Sequence, residues 1–479
     1  MQKQIKAQIE RLRAAGATYV DTRWYPLEES NNLTMINGNL KNTSASRESG
    51  MGIRVLYKGA WGFAASSYLG DLDELYTRAF DNAKVAAERV TFPVRLAEKD
   101  AVQASFSSPN RIDPFEVPLA DKVAFLKKMD EKLNQEGVFQ RASDMTFMRK
   151  QIIFIDSEGS EIEKNIIEVF PSLLVTGIDD KGESQERKYL PGRVGDTRGW
   201  ETLDEDLFLE NAERIVKELN QVLKADDCPK DERSVILLPN IMFLQTHETI
   251  GHPLELDRIL GYELAFAGGS FVRLEDFGTL QYGSTKLTAR ADATLPNTPG
   301  SFGFDDDGVP AQDNLLIDKG LLVGAITGRQ MVEEANARAN KHIFEGSSGA
   351  NRATNFYRVP IERMTNINID PGEDGTLDDI VKNTEKGVIL DGEKSWSIGS
   401  NREQFHFATD MAWLVEDGQV TKVVRNATYK GETVKFYNSL SAVGDMSTWE
   451  VHYVDNCGKG QPSQVMQLGH GVPICRFDN

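Results

Sequence analysis

The sequence predicts an α+β fold, with two α+β modules followed by a large strand-rich C-terminal domain that carries a metal-motif helix. Helical and strand-like periodicities alternate up to residue 225, and glycine-rich, strand-rich sequence follows. Proline-rich residues 93–118 and charged residues 225–233 interrupt these patterns. We therefore predict domains over residues 1–92, 119–225 and 232–479, with residues 93–118 as a linker.

The first module is predicted to contain two helices and a small set of strands. Ile5, Ile9 and Leu12 recur at helical spacing, which predicts an amphipathic helix over residues 2–15. A similar apolar stripe predicts a second helix over residues 72–89. The strands of this module are predicted at residues 19–23 and 53–57.

The second module is predicted to pair a small sheet with two helices, over residues 119–135 and 203–224. Short apolar runs at close spacing are typical of strands in an antiparallel sheet. These strands are predicted at residues 144–148, 151–155, 166–170 and 172–176.

The C-terminal domain is predicted to hold its functional helix against a sheet. Residues 234–238 read as a buried strand that leads through Pro239 into the helix with the metal motif. A further helix is predicted over residues 328–338. A helix anchored to a sheet suits a site that needs fixed ligand geometry.

The most informative motif is His247-Glu248-x-x-x-His252, which is one residue longer than the H-E-x-x-H motif of zinc peptidases. Residues five apart on a regular helix lie roughly 140° apart, so the two imidazoles would not share one ion. A local helical bulge must absorb the extra residue. Gly251 gives the backbone freedom, and Pro253 disfavours a helical conformation at His252.

Glu248 is the candidate catalytic base, because a carboxylate beside a metal ligand can accept a proton from an activated water. A catalytic zinc normally needs a third protein ligand. Cys457 lies in a glycine-rich turn beside Lys459, which would favour a thiolate, although an inert turn cysteine remains an alternative. Cys228 lies in a charged connector, and Cys475 reads as a packed strand thiol.

Other polar residues near the motif are candidates for supporting roles. Glu255 and Asp257 are candidates to accept the second N–H of a ligating histidine; the alternative is a solvated helix end with a surface pair between Asp257 and Arg258. Arg352 lies in a glycine-rich segment, where it would bind a substrate carboxylate or carbonyl, or belong to a mobile loop.

The composition argues against several classes of partner. A formal net charge of −19 is unlike the basic surfaces that bind nucleic acid. Three cysteines are too few for a disulfide framework, and residues 1–15 lack an apolar signal region. No segment approaches the roughly 20 apolar residues that span a membrane. We therefore expect a cytoplasmic protein without nucleic-acid or membrane partners.

Over nearly its whole length the chain resembles the TldD/PmbA family of metallopeptidases, specifically its metal-binding TldD branch. The central stretch His247-Glu248-x-x-Gly251-His252-x-x-Glu255-x-Asp257 resembles the family's metal signature. Shorter motifs occur in the family's order: Gly52-Ile53-Arg54-Val55, Gly59-Ala60-Trp61-Gly62-Phe63-Ala64, Asp305-Asp306-Asp307-Gly308-Val309-Pro310-Ala311-Gln312, Arg363-Met364-Thr365-Asn366, Cys457-Gly458-Lys459 and Gly469-His470-Gly471-Val472-Pro473.

The resemblance implies one divalent metal ion, zinc or alternatively iron, held by His247, His252 and Cys457, with Glu248 as the general base. It implies cleavage of unfolded polypeptides or oligopeptides with little sequence preference. It also implies a homodimer, or a heterodimer with a related metal-free subunit. His470 stands where the family tends to have glutamine, which makes it a competing ligand candidate.

Two other interpretations follow from the same residues. Dipeptidyl peptidase III carries the same lengthened motif but uses a downstream glutamate as its third ligand, and it resembles this chain nowhere else. The second interpretation is a non-catalytic binding or regulatory subunit of a peptidase or of a gyrase-modulating complex. The intact His247, Glu248 and His252 argue against that subunit, because binding alone has no need of them.

Overall fold

The computed structural model of the protein describes residues 1–190 and 197–478. Its N-terminal part is built on one seven-stranded sheet, with strands in the order β3-β2-β1-β5-β6-β4 and β7 beside β6. The strands are β1 (Tyr19–Ile36), β2 (Asn39–Tyr57), β3 (Ala60–Ser66), β4 (Gln103–Ser107), β5 (Gln140–Asp156), β6 (Glu161–Ile178) and β7 (Ser184–Tyr189).

Both predicted N-terminal modules contribute to this sheet, because β1 pairs with β5 in antiparallel fashion. The predicted linker also contributes, since β4 pairs with β6 in parallel. The prolines that marked residues 93–118 as a linker flank Gln103–Ser107 without interrupting it. The predicted α+β class is confirmed, and the domain boundaries themselves stay a prediction.

The strands are longer than the sequence predicted. Residues 144–148 and 151–155 were expected as separate strands but form the single strand β5, and residues 166–170 and 172–176 together form β6. The residues between the predicted segments, including Pro171, lie within the paired strands. Successive side chains of a strand point to opposite faces, so a polar residue need not end it.

The four predicted N-terminal helices are present and cover the sheet with their apolar stripes. Ile5, Ile9 and Leu12 of the first helix are buried against the sheet, as their spacing predicted. Asp71 and Asp204 begin the second and fourth helices, where each side chain accepts a hydrogen bond from a backbone N–H. The helices are α1 (Gln2–Ala14), α2 (Leu72–Ala87), α3 (Leu119–Leu133) and α4 (Glu205–Val222).

The C-terminal part is strand-rich, as predicted, and contains short helices. Its helices are α5 (Pro239–Thr246), α6 (Leu256–Ile259), α7 (Arg329–Ala339), α8 (Leu377–Lys382) and α9 (Thr433–Asn438). Its strands are β8 (Asp226–Asp227), β9 (Ser234–Leu237), β10 (Ala289–Asp292), β11 (Asp313–Asp318), β12 (Leu321–Leu322), β13 (Asn351–Arg352), β14 (Ile361–Glu362), β15 (Asn366–Ile369), β16 (Lys386–Ile398), β17 (Gln404–Glu416), β18 (Gln419–Arg425), β19 (Thr428–Glu432), β20 (Leu440–Val443), β21 (Glu450–Lys459), β22 (Gln464–Val472) and β23 (Cys475–Phe477).

An eight-stranded sheet in the order β20-β23-β9-β16-β17-β18-β8, with β19 beside β17, supports the functional helix. The predicted strand over residues 234–238 corresponds to β9, which leads directly into α5. Residues of α5 on every side of the helix are buried, including Ile241, Met242 and Phe243. Such a helix is held by packing rather than by one amphipathic face. The hairpin β21–β22 packs against it.

Gly62 on β3 shows how closely the N-terminal helices approach the sheet. A Cβ atom at this position would lie 2.2 Å from the carbonyl oxygen of Ala79 and 2.3 Å from the backbone nitrogen of Ala83. Both atoms belong to the backbone of α2, so the helix itself would have to move. Glycine at this position therefore allows the direct contact between β3 and α2.

We expect Gly62→Ala to lower the free energy of unfolding by about 1–3 kcal/mol, the usual cost of overpacking a tightly packed contact. The measurement is chemical denaturation of both proteins. Gly346→Ala is the matched control, because a Cβ at Gly346 would meet no atom within 4 Å. Equal stability of the Gly62 and Gly346 variants would contradict the close contact.

Candidate metal centre

The motif helix changes its winding where the motif begins. The α-helix ends at Thr246, a π-helical turn covers His247–Gly251, and a 3-10 turn covers His252–Leu254. A π turn accommodates one more residue than an α turn, which confirms the predicted local bulge. The imidazole rings of His247 and His252 consequently lie 4.7 Å apart, centroid to centroid.

Gly251 and Pro253 act differently from the prediction. His252 has φ −60° and ψ −44°, so the prediction that Pro253 would move it out of helical conformation is wrong. The preference imposed by a following proline is outweighed here by the packing of the buried turn. Gly251 also has right-handed helical angles. A Cβ at Gly251 would lie 2.1 Å from the Sδ atom of Met364, so any larger residue would require the buried Met364 side chain to move.

Three metal-capable side chains converge beside this turn. One ligand atom each from His247, His252 and Cys457 lies within 4.8 Å of the other two. Cys457 comes from β21, and its Sγ is 3.8 Å from Nε2 of His252. All three residues are buried. The structure thus brings together the three residues named from the sequence, whose role as ligands stays a prediction that metal analysis can test.

Glu255 contacts one of these ligands directly. Nδ1 of His252 donates to Oε2 of Glu255 at 3.0 Å, and Nε of Arg258 donates to the same oxygen at 2.6 Å. Burial opposes ionisation of Glu255, but the cations of Lys459 and Arg258 hold its pKa well below the usual value. The carboxylate therefore keeps the proton of His252 on Nδ1 and leaves Nε2 free for a metal.

Asp257 is connected to the site through Lys459. Its Oδ1 lies 2.7 Å from Nζ of Lys459, and Nζ is also 3.2 Å from Oε1 of Glu255. Asp257 and Arg258 are both buried, so the alternative of a solvated surface pair is wrong. Lys459 follows Cys457 by two residues, so this ion pair joins the thiol's strand to the end of the motif helix.

His470, the competing ligand candidate, lies behind His247. Its Nε2 is 2.7 Å from Nδ1 of His247, and its Nδ1 accepts a hydrogen bond from the backbone N–H of Ile367 at 2.9 Å. Both ring nitrogens are therefore engaged. Among the described residues, the group that could hold a metal contains neither His470 nor a carboxylate.

The electrostatics of the three side chains suit a divalent ion. Burial lowers the pKa of His247 to about 4 and that of His252 well below its usual value, so both imidazoles are neutral. Burial raises the pKa of the Cys457 thiol. A bound cation would favour the thiolate instead, because metals bind cysteine in that form. Two neutral nitrogens and one thiolate fit zinc, and iron also accepts such donors.

Sequence reasoning missed two residues that hold Glu248. Nε1 of Trp396 donates to Oε1 of Glu248 at 3.0 Å, and Arg402 donates to Oε2 at 2.7 Å. Trp396 lies on β16, and Arg402 lies in the turn between β16 and β17. Both are about 150 residues from Glu248 in sequence, and no local pattern around either one signals this contact.

The candidate site opens into a cleft of about 560 Å³. It is lined by Asp144, Thr146 and Ser172 of the N-terminal sheet and by residues 454–458 of β21. Glu248 lines the same cleft as the three metal-capable side chains. A substrate in the cleft would therefore meet the carboxylate and the metal-binding group together.

Arg352, the predicted substrate contact, is not among the described residues that line this cleft. Its guanidinium donates to the carbonyl of Met364 at 2.6 Å and lies 4.5 Å from the centroid of the Phe302 ring. The residue is buried in the short strand β13. This position supports neither the predicted contact with substrate nor the alternative of a mobile loop.

Nearly the whole chain matches the domain models of one known protein family. Residues 28–83, 112–223 and 230–477 match, in order, domain 1, the central domain and the C-terminal domain of the PmbA/TldA metallopeptidases. The chain therefore belongs to the PmbA/TldA metallopeptidase family. The resemblance found in the sequence motifs is confirmed, and at the level of the family so is the predicted enzyme class.

Individual relatives agree with this assignment. The chain is 27% identical to the metalloprotease MJ0996 of Methanocaldococcus jannaschii, over 97% of this chain and 96% of that protein. It is 22% identical to a protein of Saccharolobus solfataricus named a zinc metalloprotease TldD homolog, over 97% and 96% of the two chains. TldE from Thermococcus kodakarensis has the same fold, with a TM-score of 0.72, 15% identity and coverage of 99% and 98%.

Within the described part of the chain, no helix is both long and apolar enough to cross a membrane. This finding agrees with the absence of long apolar segments in the sequence.

We expect the purified wild-type protein to contain about one divalent ion per chain under reducing conditions, and Cys457→Ala to lose it, because two imidazoles alone leave the ion underligated. The measurement is elemental analysis after gel filtration. Cys228→Ala, which removes a thiol outside the candidate centre, is the matched control and should keep the ion. Retention of metal by Cys457→Ala would point to His470 or a carboxylate as the third ligand.

Proposed function

We propose that the protein is a metal-dependent peptidase that hydrolyses unfolded polypeptides or oligopeptides, with zinc as the preferred ion and Glu248 as the general base. The observation that supports this function best is the position of Glu248. It directly follows His247, and it lines the same cleft as the three metal-capable side chains.

A divalent ion, when bound, supplies a Lewis acid that lowers the pKa of water and polarises a carbonyl. Glu248 accepts the proton of the attacking water and later delivers it to the leaving amine. A carboxylate offers about four lone-pair positions, and Trp396 and Arg402 together occupy two. Glu248 is therefore held in one orientation and still has room to accept a proton.

The shape of the site supports an extended substrate. The metal-capable residues are buried and line a cleft together with residues of a sheet and a hairpin, which favours an extended segment over a folded surface. An unfolded segment can enter such a cleft and offer its backbone to the edges of strands, which gives affinity with little dependence on sequence.

We also propose a dimer, formed by two copies of this chain or by this chain and a related metal-free subunit. The support is the family resemblance, together with the shared fold of this chain and a protein named TldE. A cytoplasmic location is proposed from the three free cysteines, which suit a reducing compartment.

Glu248→Gln should keep the metal and lower kcat for an unstructured peptide by about 10²–10⁴-fold, the usual contribution of a general base. The measurement combines elemental analysis with cleavage of a reduced, unfolded polypeptide. Glu345→Gln, at a highly exposed position, is the control. A metal-loaded wild-type protein that cleaves no unfolded substrate would instead favour the binding or regulatory subunit.

Trp396→Phe should lower kcat/KM by roughly tenfold, because it removes one hydrogen bond to a charged acceptor, worth about 1.5 kcal/mol, and keeps the aromatic ring. The metal content should not change. Trp413→Phe on β17 is the control, since this residue packs in a separate apolar cluster. Unaltered kinetics of the Trp396 variant would show that its contact with Glu248 does not matter during turnover.

A further inference from the structure

Among the described residues, two carboxylates in the metal cleft have no side-chain cation to balance them. The described acidic residues that line the cleft are Asp144, Glu248, Glu393 and Asp455. Glu248 pairs with Arg402 at 2.7 Å. Glu393 pairs with Lys188 at 2.9 Å. Within residues 1–190 and 197–478, neither Asp144 nor Asp455 takes part in an ion pair.

Within the described residues, the surroundings of Asp144 and Asp455 supply no side-chain cation that pairs with either of them. Partial burial raises the pKa of Asp144, and the hydroxyl of Thr34 only partly offsets this effect. Among the described residues that line the cleft, the one permanent cation is Arg402, and it is already paired with Glu248.

The two carboxylates belong to different parts of the chain that line the same cleft. Asp144 lies on β5 of the N-terminal sheet and is half-buried. Asp455 lies on β21 and is exposed, two residues before Cys457. A peptide bound in the cleft would therefore lie in the field of both carboxylates. The cleft itself is identified as a site independently, by the convergence of His247, His252 and Cys457.

We propose that the cleft selects cationic peptides, and that Asp144 and Asp455 determine this specificity by pairing with lysine or arginine side chains near the scissile bond. The inference rests on the proposed peptidase function and adds a substrate class to it. A lysine or arginine side chain of the substrate can pair with one of these carboxylates, whereas a glutamate side chain adds a further negative charge to the cleft. The formal net charge of −19 also attracts cationic peptides from a distance.

The test uses three unstructured peptides of equal length that differ only at the residues flanking one peptide bond, which are lysine, glutamine or glutamate. For the wild-type, metal-loaded protein, kcat/KM should be about fivefold higher for the lysine peptide than for the glutamine peptide. It should be about fivefold lower for the glutamate peptide than for the glutamine peptide. Both differences correspond to a partly screened charge interaction of about 1 kcal/mol. The differences should shrink as salt is added.

Asp144→Asn and Asp455→Asn should each reduce the ratio between the lysine and glutamine peptides, and the double variant should bring it close to one. Asp318→Asn is the matched control, because it removes one exposed carboxylate outside the cleft and should leave the ratio unchanged. Metal content is measured for every variant, so that damage to the metal centre is recognised separately.

A measurement of peptide binding distinguishes this inference from the proposed function. Fluorescence anisotropy with labelled versions of the three peptides on the wild-type protein, with its metal removed by a chelator, reports affinity without cleavage. Tighter binding of the lysine peptide supports the inference even if no peptide is hydrolysed, an outcome that would count against the peptidase. Equal affinity for all three peptides, or a ratio that the double variant does not change, would overturn the inference while leaving peptide cleavage intact.

Discussion

The buried ion pair between Glu255 and Lys459 is the interaction on which the candidate centre depends. Lys459 lies two residues after Cys457, and Glu255 lies three residues after His252, so the pair joins the two parts of the chain that carry the metal-capable atoms. Both side chains are fully buried. Removing one partner of such a pair leaves an uncompensated charge in the interior, which typically costs about 3–5 kcal/mol.

The same ion pair connects the metal-capable side chains to other buried residues of the C-terminal part. Glu255 accepts from His252, and Lys459 bridges from Glu255 to Asp257 and to the backbone carbonyl of Glu362. These contacts fix the distance between the hairpin and the end of the motif helix without help from a bound ion. A centre organised in this way avoids much of the entropy cost of gathering its ligands, which favours binding.

The N-terminal and C-terminal parts of the chain contribute different residues to the candidate site. The C-terminal part supplies His247, Cys457 and Glu248, together with the side chains that orient them. The N-terminal sheet also lines the cleft, including Asp144. On the proposed function, catalysis would belong to the C-terminal part, and contact with substrate would be shared between both parts.

Local sequence was sufficient to predict two features that depend on neighbouring residues, although the effect expected of Pro253 on His252 was wrong. The amphipathic helix of Ile5, Ile9 and Leu12 and the bulge between His247 and His252 follow from spacing alone, because helical geometry is set by contacts three to five residues apart. Strand ends were less predictable. Whether a strand stops at a polar residue depends on its neighbours in the sheet, which are distant in sequence.

What the sequence alone determined about this protein is the set of chemical groups: the two imidazoles, the carboxylate between them, and a family resemblance that named Cys457. Only the tertiary structure decided how these groups meet. It placed His470 behind His247 rather than in the ligand group, and it buried Arg352 away from the cleft. It also brought the unpredicted partners of Glu248 from about 150 residues away. Such contacts are set by packing between distant segments, which no local pattern of residues records.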